Sequence, residues 1–118
     1  MESVIELIVI LIVTTVVVLG LKNRMKVARP ANAKVSAKGY AFPSGHTAFS
    51  FALATFYAGL AMRLAIPFVE TLLIILGVFT GAFFILAWRL QVRVHTVGQV
   101  VAGAGIGVVI ALLVPFVL

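Results

Sequence analysis

The chain has 118 residues, of which 64% are hydrophobic and only 10% charged, and its mean hydropathy is +1.28. Such a composition excludes a water-soluble domain. Nine Lys and Arg against three acids give a net charge of +6; the absence of cysteine excludes disulfides and thiolate metal sites, and two histidines with three acids are too few for a multi-ligand metal cage.

A helix that crosses the hydrocarbon core needs roughly 20 mostly apolar residues, so this length holds four spans and short connections. Lipid satisfies no open backbone group, which makes every span a helix. The expected fold is therefore all-α, a single membrane-embedded bundle of four transmembrane helices over residues 1–118. The apolar runs are 4–21, 47–64, 66–88 and 96–118. The first carries Glu2 and Glu6, lacks a basic leader and has no small-residue cleavage site before the basic residues that follow. It reads as a retained helix. The second and third are separated only around 63–67, where Arg63 and Pro67 mark a tight reversal, so they form an antiparallel hairpin. An alternating path then puts both long polar segments, 22–46 and 89–95, on one membrane face, with the termini and Arg63 on the other.

The first polar segment opens with Lys22 and Arg29, seven residues apart, about two helical turns. A helix continuing past Leu21 projects both from one side, and Pro30 ends it near Arg29, leaving the guanidinium free to turn toward a ligand. After the loop 31–42 comes Pro43-Ser44-Gly45-His46, directly before the second apolar run. Its backbone N–H groups then sit at a helix N-terminus, a ready anion site. Gly45 permits close backbone approach, Ser44 offers a hydroxyl, and His46 can donate a proton or a hydrogen bond. The plain alternative for this tetrapeptide is ordinary helix capping.

The second polar segment supplies Arg89 and His95, and Gln99 follows four residues later, on the same helix face as His95. The Gln99 oxygen is expected to accept from one ring N–H of His95, fixing its tautomer and aiming the other nitrogen at a substrate. The alternative is a membrane amide that only packs against a neighbouring helix. Gly77 with Gly81 and Gly103 with Gly107, each pair four apart, together with Gly98 and Gly105, read as helix contacts. Eight of the nine cations, Lys22, Arg24, Lys26, Arg29, Lys34, Lys38, Arg89 and Arg93, belong to the two loops. The positive-inside rule places that face in the cytoplasm.

The run 22–30, KNRMKVARP, with Pro43 to His46 and with Arg89 followed by His95, resembles the three motifs of the type 2 phosphatidic acid phosphatase (PAP2) superfamily of membrane lipid phosphatases, which also includes glucose-6-phosphatase and the vanadium haloperoxidases. The resemblance implies that His95 is the nucleophile, forming a phosphohistidine, and that His46 protonates the leaving oxygen. It implies that Lys22, Arg29, Ser44, Gly45 and Arg89 hold the phosphoryl oxygens. Phosphoryl transfer needs in-line positioning and compensation of charge on three equatorial oxygens, which guanidinium forks and backbone N–H groups supply without a metal.

Three departures from the family stand out. Trp88 occupies a place usually held by Ser, and Gln99 that of the carboxylate partner of the nucleophilic His, so slow turnover is expected. Many membrane members have six spans, and a second copy of the chain is the expected replacement for the missing pair. The implied partners are a phospholipid or isoprenyl phosphate, the bilayer and that second copy, with no nucleic acid and no cofactor. Two alternatives to a working phosphatase are a catalytically impaired homologue, motivated by Gln99, and a small four-helix exporter, which needs a membrane-embedded acid.

Overall fold

The computed structural model describes residues 2–34 and 39–118; Lys38 and part of the loop 31–42 lie outside the described residues. Four helices follow in order: α1 Glu2–Met25, α2 Gly45–Arg63, α3 Phe68–Gln91 and α4 Val97–Val117. Three of them, α1, α3 and α4, are long and apolar enough to cross a membrane. Of the four expected spans, α2 is the one that does not reach that apolarity. That helix has 19 residues, enough in length, but His46, Thr47, Ser50 and Thr55 dilute its apolar run. The physical reason is its position: α2 packs against each of the other three helices, while among the described residues α1 and α3 bring no Cα atoms within 8 Å of one another. A helix sheathed by protein needs less hydropathy than one sheathed by lipid.

Its buried face is built mainly of small residues, Ala48, Ala52, Ala54, Ala58 and Ala61. In lipid, apolar area gives helices no reason to associate, so close fit does the work. The fit is tightest against α4. A Cβ on Gly103 would lie 2.5 Å from the Ser44 carbonyl oxygen, and one on Gly107 would overlap the carbonyl oxygen of Ala48. These two glycines are helix contacts, as expected. Gly77, Gly81, Gly98 and Gly105 are not, since a Cβ on any of them meets nothing within 4 Å. Ile10, Phe56 and Ile110 fill the junction of α1, α2 and α4, and Phe51 joins α2 to α3 through edge-on contacts with Phe79 and Phe83.

The α2–α3 reversal follows the sequence. Leu64 closes α2 through its N–H to the Leu60 carbonyl, Ala65 takes a positive φ of 55°, and Pro67 starts α3. Beside this turn Arg63 pairs with Glu6 of α1, at 2.9 Å. The opposite end gathers the last turns of α1 and α3 with the first turns of α2 and α4. There Ala41 N–H bonds to the Val27 carbonyl, Lys34 N–H to Val92 and Ser44 N–H to Gln99, stitching the two polar segments together.

Candidate active site

Helix α1 outruns its apolar stretch and carries Lys22 on its last turns before Lys26, at a φ of 50°, ends it with an N–H to the Lys22 carbonyl. Arg29 therefore lies beyond the helix, and the seven-residue helical spacing is not what brings it to Lys22. The loop does so: Arg29 Nη1 donates to the Val94 carbonyl at 3.2 Å and lies 3.2 Å from His95 Nε2. Arg89, on the last turn of α3, brings Nη2 to 3.5 Å from the same nitrogen.

His95 is 3% exposed. Its Nδ1 stands 2.8 Å from the carbonyl oxygen of Ala41. A carbonyl only accepts, so Nδ1 carries the proton and, in the neutral ring, Nε2 presents a lone pair toward two guanidinium groups. Burial, then the charges of Arg29 and Arg89, pull the His95 pKa down to about 4, against the opposing pull of the Ala41 carbonyl. Burial also lowers that of Arg29.

Gln99 does not orient this ring. Its Oε1 accepts from the Thr96 N–H at 2.8 Å while its own N–H donates to Thr96 Oγ1, so the pair forms a capping box that starts α4. The i, i+4 spacing pointed at His95; the Thr96 N–H, an unpaired donor at a helix start, is a nearer partner for the amide oxygen. Ser44 is likewise drawn into its own helix end. It is 0% exposed, accepts weakly from Thr47 N–H and donates to Thr47 Oγ1 at 2.9 Å.

The remaining six of the eight expected site residues, Lys22, Arg29, Gly45, His46, Arg89 and His95, line one open cavity of about 1070 Å³. Lys22 Nζ donates to the Tyr40 carbonyl at 2.7 Å, and Tyr40 and Asn23 join the lining, two residues that sequence reasoning missed. Ala41 was missed as well, because a main-chain carbonyl leaves no mark in a sequence. Away from the cations the lining turns apolar, through Val18 and Leu19 of α1, Phe49 and Leu53 of α2, and Ile85 and Trp88 of α3. With three cations and, among the described residues, no carboxylate in the lining, the charge at the polar end suits an anion. Its geometry joins the three motif segments at one point, and the PAP2 superfamily pattern matches residues 3–117.

The chain belongs to the PAP2 superfamily. No curated protein and no solved structure matches it. As a PAP2 protein it places its first-motif cations, the start of α2 and the third-motif Arg and His around a single cavity mouth. The likeness extends beyond these motifs to nearly the whole chain, including all four helices.

Proposed function

We propose that the protein is a membrane phosphatase acting on a phosphate monoester or diphosphate of a lipid or isoprenoid, through a phosphohistidine. The observation that carries this reading is His95, with Nδ1 committed to a carbonyl and Nε2 facing Arg29 and Arg89. A phosphoryl group drawn to the guanidiniums takes up their N–H donors and meets the Nε2 lone pair. As the Nε2–P bond forms, the P–O bond to the lipid breaks and His46 gives the departing oxygen its proton. Water then attacks phosphorus, His46 takes back a proton, and phosphate leaves His95.

The site's chemistry calls for no metal, and among the described residues no three of His, Cys, Asp or Glu come together as a ligand cluster. The apolar stretch of the cavity suits a hydrocarbon tail, which favours a lipid over a soluble ester. Glu6, the acid an exporter would need, is paired with Arg63, which weighs against that reading. The impaired-homologue reading rests on Gln99 standing in the place of a carboxylate; the Ala41 carbonyl takes over control of the tautomer but, being neutral, adds no charge to stabilise an imidazolium, so that reading stands as the alternative that the assay separates. The decisive assay is phosphate release from phosphatidic acid, phosphatidylglycerol phosphate and undecaprenyl diphosphate by purified protein in chelator, with His95→Gln as the comparison. Release from at least one, lost in the variant and blocked by vanadate, is expected. Release that survives His95→Gln removes His95 from the reaction.

A further inference from the structure

The two histidines of the cavity are held by opposite means. His95 is fixed through both ring nitrogens. The His46 ring is exposed, and among the described residues neither of its nitrogens has a hydrogen-bond partner. What it does touch is Trp88: the ring centroids are 5.8 Å apart with planes at 82°, within the edge-to-face geometry that aromatic pairs prefer. Trp88 also lies against the guanidinium of Arg89, whose Cζ is 4.8 Å from the indole centroid. The indole thus bridges the proposed proton donor and a proposed phosphate ligand, and it lines the cavity while 43% exposed.

We propose that Trp88 is a positioning residue that holds the His46 ring at the leaving-group side of the site through an edge-on contact. The inference rests on the phosphatase reading and adds to it a residue the family pattern does not supply, since Ser usually stands there. The chemistry favours this form of support. A proton donor must keep a ring N–H available for the substrate, and an aromatic contact orients the ring without occupying either nitrogen. A Ser at position 88 is too short to reach the ring as the indole does. Neighbouring positions on a helix diverge by about 100°. Arg89 can accordingly point inward to His95 while Trp88 lies along the cavity wall.

Leaving-group dependence tests the assignment. An alkyl phosphate expels an alkoxide that must be protonated, whereas p-nitrophenyl phosphate expels a stable phenolate that needs no proton. Single-turnover release of the leaving group, alcohol or p-nitrophenol, reports the step in which His46 donates and excludes the later attack of water, which is common to both substrates; it is compared for the wild type, Trp88→Leu and Trp88→Phe. General acid catalysis contributes ~10²–10⁴-fold, and a misaimed donor should forfeit roughly 10-fold of it. Trp88→Leu is therefore expected to slow the alkyl substrate about 10-fold and the aryl substrate less than about 3-fold. Trp88→Phe should recover most of the loss, and Trp88→Leu should add nothing in a His46→Gln background. Trp88→Ser gives the same readout if Trp88→Leu fails to fold. Equal slowing of both substrates, an additive effect in the His46→Gln background, or a Phe variant no better than Leu overturns the inference while leaving the phosphatase reading standing. A wild-type protein that releases phosphate from no substrate overturns both.

Discussion

Replacing Gln99 with Ala separates two accounts of the His95 ring by orders of magnitude. In the structure the Gln99 amide oxygen caps the Thr96 N–H at 2.8 Å, and the ring Nδ1 donates to Ala41. The variant loses that one cap bond, while Thr96 Oγ1 still accepts the N–H of residue 99 and Ser44 N–H still reaches the carbonyl there. Loss of a helix cap costs about 1 kcal/mol, roughly a fivefold shift in a folding equilibrium. Turnover per folded molecule should fall by less than about 3-fold, because the tautomer is set elsewhere. If Gln99 were the ring's orienting partner, the loss would approach the ~10⁴-fold seen when a triad acid is replaced so that the tautomer is wrong. The assay pairs single-turnover kinetics with denaturant unfolding in detergent, followed through Trp88, the chain's one tryptophan. A rate loss of 100-fold or more with an unchanged unfolding midpoint would refute the reasoning.

Other outcomes follow from the same geometry. With the His95 pKa near 4, the proposed nucleophile stays neutral well below the ordinary histidine range, so the acid limb of kcat/KM should lie near pH 4 and not near 6.5. The sign for stability is opposite: as pH falls from about 6.5 to about 4, the unfolded chain binds a proton that the folded one refuses, and stability should decline across that window in a titration of unfolding. Gly107→Ala forces a Cβ into the Ala48 carbonyl and should cost ~1–3 kcal/mol and impair turnover, whereas Gly77→Ala should leave monomer stability essentially unchanged. Applied to the loop cations, the positive-inside rule predicts a cytoplasmic active-site face: a Lys34→Cys variant should then escape an impermeant thiol reagent in intact cells, and labelling would reverse the orientation.

Much of this was legible in the sequence because it is written in side chains. Hydropathy gave the helices, Pro67 the hairpin, and the charged motif residues the composition of the cavity, six of whose lining members were foreseen. What stayed hidden depends on competition for hydrogen bonds. Ser44 and Gln99 were assigned to substrate and nucleophile, yet each sits at a helix start where unpaired N–H groups claim its oxygen first. Helical spacing also misdirected Arg29, since α1 stops four residues short of it. The glycine pairs show the same limit: spacing is identical in 77–81 and 103–107, and only the second meets another backbone.

The acceptor that fixes the His95 ring is a main-chain atom, and this changes which alterations the site can absorb. Any residue small enough for the fully buried space at position 41 still presents a carbonyl oxygen, so the proton on Nδ1 does not depend on the chemistry of the side chain there. Its location depends instead on the register of the strand of chain held between the Val27 carbonyl and the start of α2. One residue inserted or removed next to Ala41 would rotate a different group toward the imidazole while every motif residue kept its identity. The length of that connection, a quantity no motif records, is thus as much a determinant of the ring's chemistry as the residues that surround it.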